Sequence, residues 1–177
     1  MKRIAVIFVC VIGVICGPGL LAQSSPVPLR ADTMHLTVLT SISDTEVAPG
    51  KQLSLVFDIT PKKLMHVYAP GKHDYQVISV KLDPQPWMKV QPTAYPPSEI
   101  YHFAQLDEKV ETYGKPFKLV QDVTILTTPE ARKLLAASPT VKLSGRLEYQ
   151  ACDDRVCYAP SRVPVSFELT VRPADKK

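Results

Sequence analysis

The chain has 177 residues, of which 21 are Lys or Arg and 17 are Asp or Glu, giving a formal net charge of +4. So small a surplus, spread evenly along the sequence, excludes the basic stripe by which proteins hold nucleic acid. Hydrophobic residues make up 45% of the chain, enough for a single domain of this length to bury a core.

Residues 1–22 have the layout of a secretory signal peptide. Lys2 and Arg3 form a basic head, Ile4 to Ile15 is an almost unbroken apolar run, Gly17-Pro18-Gly19 breaks it, and Ala22 offers a small residue for cleavage. The apolar run falls short of the roughly 20 residues that span a bilayer. Cleavage after Ala22 removes two basic and no acidic residues, leaving 155 residues with a net charge of +2 and no membrane span. Cys10 and Cys16 leave with the signal. Cys152 and Cys157 remain as one even pair in an oxidising compartment. The basic-headed signal and the absence of Asn from the chain fit a bacterial periplasm.

The chain carries 17 prolines against 7 glycines, with heavy Val, Leu and Thr usage, and reads as an all-β domain with proline-punctuated connections. Residues 23–34 read as a flexible leader. A first strand is expected over His35 to Leu39, and Ala48-Pro49-Gly50 marks a turn. Leu53, Leu55, Phe57 and Ile59 then alternate with Ser54, Val56, Asp58 and Thr60, the period-2 signature of a half-buried strand. Met65 to Tyr68, Gln76 to Leu82 and Trp87 to Val90 are further short strands. Pro96-Pro97 opens a stretch expected to be irregular as far as about Pro116, holding Tyr101, His102, Phe103 and a charged run from Asp107 to Gly114. Structureless loops of that length are uncommon and often functional. Phe117 to Leu126 is another strand, and Thr128-Pro129-Glu130 starts a short helix to Ala137. Val141 to Tyr149 alternates straight into Cys152, Val163 to Val171 closes a domain spanning 35–172, and 173–177 form a disordered tail. About seven to nine short strands without a long helix predict an immunoglobulin-like β-sandwich.

The segment Tyr149-Gln150-Ala151-Cys152-Asp153-Asp154-Arg155-Val156-Cys157-Tyr158-Ala159-Pro160 carries the chemistry, and the residues alone leave three readings open. A stabilising disulfide is one. Closing a loop of about six residues contributes only about 2 kcal/mol in the chain-entropy model, against nearly 5 for a loop of about 100. Metal binding is the second, but His35, His66, His73 and His102 are scattered and no second paired motif completes a four-ligand set, so no metal and no cofactor is expected. The third is a redox-active dithiol. Asp153 and Asp154 raise nearby thiol pKa values and Arg155 offsets them in part, which suits a pair that reacts only once a partner docks. No phosphate loop, nucleophile elbow or paired-carboxylate site is visible.

That segment, followed by Val163-Pro164-Val165, closely resembles the N-terminal periplasmic domain of the thiol:disulfide interchange protein DsbD. Val110-Glu111-Thr112-Tyr113-Gly114-Lys115 resembles the family's cap loop over the cysteines, and His66-Val67-Tyr68 falls where the family carries a strand with aromatic residues beside the site. The resemblance spans roughly residues 35 to 171. It implies an immunoglobulin-like sandwich that passes electrons through Cys152 and Cys157, with Cys157 forming the mixed disulfide and Cys152 resolving it. It implies as partners a thioredoxin-like or membrane-embedded electron donor and oxidised periplasmic proteins. With the sequence ending at Lys177, that donor is expected on a separate chain. Glu111, Thr112, Tyr113 and Gly114 would form the gate, with His66, Tyr68 and Tyr158 lining the site. Two departures stand out: Thr112 replaces the usual Phe of the cap, leaving Tyr113 or Phe103 as the shield, and Ala159 replaces a proline. The rival reading is a non-catalytic immunoglobulin-like binding or assembly module with a structural disulfide.

Overall fold

Alternating apolar residues build two sheets that face each other. The computed structural model describes residues 29–105 and 107–172, so the expected signal peptide, the start of the leader and the tail lie outside the described residues. The first sheet has the order β1 (Leu29–Asp32), β2 (Leu36–Ile42), β4 (Gln52–Pro61), β10 (Phe117–Ile125) and β7 (Met88–Val90). The second has the order β3 (Glu46–Val47), β13 (Ser161–Val171), β11 (Thr140–Tyr149) and β6 (Ser79–Leu82). All neighbours pair antiparallel except β3 and β13, which run parallel.

Leu53, Leu55, Phe57 and Ile59 of β4 and Leu119, Val123 and Ile125 of β10 point inward from the first sheet. Leu143 and Leu147 of β11 and Val163, Val165, Phe167 and Leu169 of β13 meet them from the second. Phe57 and Phe167 close the core edge to face across the gap, with ring centroids 6.0 Å apart. Each such side chain withdrawn from water is worth about 1.5–3 kcal/mol, which is why the period-2 pattern decides the register. At Gly145 a Cβ would collide with the Lys81 carbonyl, so the missing side chain is what lets β6 pair against β11. The helix α1 (Pro129–Ala137) covers one end, capped by Thr128, whose hydroxyl accepts from the Ala131 N–H at 3.2 Å. The fold is an all-β sandwich, as the pattern predicts.

Two expectations need correction. The leader does not run to residue 34, because Leu29–Asp32 form β1 and pair with β2 from Leu29↔Thr40 to Asp32↔Thr37. That edge strand has no buried face and so shows no apolar period. The stretch after Pro96-Pro97 is also not irregular. It forms β8 (Glu99–Phe103) and β9 (Glu108–Tyr113), an antiparallel hairpin with Tyr101 opposite Val110. Its charges fall on both faces, Glu99 and Glu108 beside Tyr101, Phe103 and Val110, and Lys109 and Glu111 on the other, and so mask the alternation.

This hairpin belongs to a third sheet, ordered β12 (Ala151–Cys152), β5 (His66–Tyr68), β9 and β8. Three of its strands continue strands of the sandwich. Residues 62–65 join β4 to β5, residues 114–116 join β9 to β10, and Gln150 alone joins β11 to β12. Pro61 and Pro116 stand at two of these joints, where a residue without an N–H ends one ladder and lets the chain turn into the next.

Candidate thiol site beneath an aromatic hairpin

Cys152 ends β12, and the chain reverses over residues 153–156 to bring Cys157 back opposite it. Asp153 shapes that turn. Its Oδ1 accepts from the N–H groups of Arg155 and Val156, both at 2.8 Å, and its Oδ2 accepts from the Tyr158 hydroxyl at 2.8 Å. A short carboxylate reaches backbone donors two and three residues on, which is why Asp suits such turns. The Arg155 N–H first, then Tyr158 and Val156, hold the Asp153 carboxyl below the ordinary carboxylate range.

The ladder bonds flank the cysteines rather than joining them: Asp153 N–H to Val156 O at 3.0 Å and Tyr158 N–H to Ala151 O at 2.9 Å. Cys152 and Cys157 are therefore a non-hydrogen-bonded pair. Directly opposed residues of that kind stand about 4.5 Å apart at Cα, within the range a disulfide spans. Both thiols are free in the structure, and their access differs: Cys152 is fully buried and Cys157 half-buried.

A small second core surrounds them, made of Tyr68, Phe103, Val110 and Cys152 with Tyr75, Tyr101 and Cys157 at its margin. Tyr68 ends β5 and holds its hydroxyl 3.3 Å from Cys157 Sγ. Its ring stacks on Tyr75, with centroids 4.2 Å apart, and the Tyr75 hydroxyl donates to Glu108 Oε2 at 2.6 Å. That bond is the main reason the Tyr75 phenol is pushed up to about 12.

Burial pushes the Cys152 thiol up to about 11; the second thiol, Asp153 and Asp154 act in the same direction, and the Tyr68 hydroxyl opposes them. Tyr68 is itself pushed well up, first by burial and then by its bonds to the two thiols. It keeps its proton and stands ready to donate to whichever sulfur carries charge.

The hairpin β8–β9 lies over this pair. Phe103 is buried in the thiol cluster, and the Tyr101 hydroxyl donates to Asp154 Oδ1 at 2.6 Å. That bond pushes the Tyr101 phenol up to about 12. The Tyr101 ring stacks on His66 with centroids 3.8 Å apart. Burial lowers the His66 pKa, against the opposing charges of Asp154 and Glu99, and so favours the neutral imidazole under Tyr101.

Of the residues singled out in the sequence, Cys152, Cys157, Tyr68 and His66 come together here. Gly114 lies against the His66 ring, where a Cβ would stand 2.9 Å from Cδ2. Thr112 is buried in β9, opposite Tyr68 on one side and Glu99 on the other. Tyr113 turns the other way, into the main core, stacked on Phe117 at 4.1 Å with its hydroxyl on the Pro96 carbonyl. Phe103 rather than Tyr113 is the ring over the thiols. Glu111 lies against Gly71, on the face of β9 away from Val110. Tyr158 packs on His35 at 4.5 Å and braces Asp153 instead of touching a sulfur. Sequence reading missed Tyr75, Glu108 and the Tyr101–Asp154 bond. Nothing local in the sequence links Tyr75 to Glu108 or Tyr101 to Asp154, which lie 33 and 53 residues apart.

Among the described residues, no group of three or more His, Cys, Asp or Glu side chains is placed to hold a metal ion. No helix among them is long and apolar enough to cross a membrane.

No family model matches the chain, and no curated protein matches it significantly. Among solved structures, the N-terminal periplasmic domain of ScsB from Proteus mirabilis is similar, with a TM-score of 0.52 and 11% identity over 78% of this chain. The chain spans 47% of that one, about half its length. The GAE domain of yeast GGA1 aligns with a TM-score of 0.41 and 8% identity, over 77% of this chain and 95% of its own. The SrpA adhesin from Streptococcus sanguinis aligns at 0.38 and 16%, over 81% of this chain and 59% of its own. What the likeness to the ScsB domain establishes is the fold alone, an all-β sandwich.

Proposed function

We propose that this chain is an exported, periplasmic thiol–disulfide exchange domain working through Cys157 and Cys152. The observation that carries the reading is the facing pair of unequal access, with a proton-bearing Tyr68 hydroxyl 3.3 Å from the reachable sulfur. In the direction that reduces a partner, the Cys157 thiol gives up its proton and its thiolate attacks one sulfur of the partner's disulfide. The S–S bond breaks, and the departing partner sulfur leaves as a thiolate and takes up a proton. Cys152 then loses its proton and attacks the Cys157 sulfur, forming the Cys152–Cys157 disulfide and releasing the partner's second thiolate. The partner gains two electrons and the pair loses two. A thioredoxin-like or membrane-embedded donor on another chain would return them by the same steps in reverse.

The high pKa of Cys152 fits this order. A resolving thiol that stays protonated until the mixed disulfide forms does not compete for the partner, and the hairpin β8–β9 keeps other oxidants from it. The full burial of Cys152 also favours a second reading, an immunoglobulin-like binding module whose disulfide is only structural.

The reduction potential of the pair and the behaviour of the Cys152→Ser variant separate the two. Exchange predicts a potential above about −300 mV and a mixed disulfide trapped through Cys157 in periplasmic extract. A lower potential with no trapped adduct supports the structural disulfide.

A further inference from the structure

We infer that Cys157 presents an open backbone edge on which an extended, disulfide-bearing segment of the partner docks as an added strand. In an antiparallel ladder the two residues of a non-hydrogen-bonded pair turn their N–H and C=O groups away from each other. Cys152 turns its own toward β5, where it lies opposite His66. Cys157 turns its own the other way, outside β12, where the sheet ordered β12-β5-β9-β8 stops.

The neighbours of Cys157 are already engaged. Val156 bonds to Asp153 through both its N–H and its carbonyl, the Tyr158 N–H donates to Ala151, and the Tyr158 carbonyl accepts from Gln150 Nε2 at 3.0 Å. Among the described residues, the Cys157 N–H and C=O have no hydrogen-bond partner. The residue with the reachable sulfur is thus also the one whose backbone is free to pair.

One free residue is too short an edge to invite indiscriminate strand addition, yet long enough for one pair of main-chain bonds. A partner residue that took both bonds would form a hydrogen-bonded pair with Cα atoms about 5.5 Å apart, again within the range a disulfide spans. A single cysteine in an extended segment can therefore satisfy the backbone and the sulfur together. Exposed Val156 on one flank and Ala159-Pro160 on the other bound the docking strip. The inference rests on the exchange reading for the identity of the attacking sulfur, and adds how the partner is held.

The test couples the isotope-labelled Cys152→Ser chain to activated disulfides, so the adduct forms whether or not the domain exchanges disulfides in the cell. The Cys157 thiolate attacks the probe's sulfur, and thiopyridine leaves with the electron pair. Three probes are compared: an extended peptide with one central cysteine, the same peptide N-methylated at that cysteine, and mercaptoethanol. The expected result is exchange of the Cys157 amide slowed at least about fivefold with the unmethylated peptide alone, and slower reduction of that adduct by dithiothreitol than of the methylated one. Equal amide exchange in all three adducts, or equal reduction of the two peptide adducts, overturns the docking mode. Failure of the exchange reading shows elsewhere, in the reduction potential and the absence of a trapped partner.

Discussion

The Tyr101 hydroxyl donates a 2.6 Å hydrogen bond to Asp154, so the strand that covers the thiols is tied to the turn that separates them. Removing either end should loosen the hairpin over Cys152. Tyr101→Phe is expected to raise the alkylation rate of Cys152 several-fold at pH values where the thiol is fully ionised, because only access has changed. Asp154→Ala should do the same and also lower the apparent thiol pKa, since it removes a negative charge that pushes Cys152 up. Unchanged high-pH rates in both variants would mean that the bond does not hold the hairpin down.

Phe103 and Tyr113 are both buried, but against different cores. Phe103→Ala should cost about 3 kcal/mol and speed modification of Cys152, the cost being that of a cavity left by a buried aromatic ring. Tyr113→Ala should cost a similar amount with little change in thiol reactivity once corrected for unfolding. Urea melts paired with alkylation kinetics distinguish them, and identical reactivity profiles would contradict the assignment of Phe103 as the shield.

The buried Cys152 thiol makes the reduced domain sensitive to alkali. Folding raises the pKa from about 9 to about 11, so the folded state favours the protonated thiol. That contribution is complete below pH 9 and is lost as pH climbs through the interval to 11, because the unfolded chain ionises first. Reduced protein should lose about 1 kcal/mol between pH 8 and pH 10 relative to a Cys152→Ala variant measured in parallel. Superimposable pH profiles for the two would rule the effect out.

Tyr68→Phe removes the hydroxyl beside Cys157 and keeps the ring stacked on Tyr75. Hydrogen bonds to charged sulfur favour the thiolate, so their loss should slow exchange with a small disulfide at pH 7 about tenfold while stability changes by about 1 kcal/mol or less. Stopped-flow kinetics with an aromatic disulfide give the rate. An equal rate in the variant would remove Tyr68 from the chemistry.

The sandwich was legible because its strands bury one face. Leu53 to Ile59, Val141 to Tyr149 and Val163 to Val171 all show the alternation, and all form strands. What escaped were strands whose burial comes from the site rather than the main core. β8 and β9 carry four charged residues against five apolar ones, and their buried face looks inward only because two cysteines lie beneath it. The cysteines, Tyr68 and His66 could be found because they sit in contiguous segments. Tyr75 and Glu108 meet across 33 residues of sequence, and no local pattern announces a contact of that range. Thr112 and Tyr113 stood out by position along the chain, and the pleat of β9 sends them to opposite faces.

The three joints that carry sandwich strands into the thiol-bearing sheet have a mechanical meaning. At Gln150 a single residue separates the last bond of the large sheet from the first of the small one. Two residues therefore separate Cys152 from a strand of the sandwich, and Cys157 is linked to the sandwich by residues 158–160, which lead into β13. Both sulfurs are thus carried on short tethers to the large sheets, so their spacing is set by the sandwich rather than by a long loop.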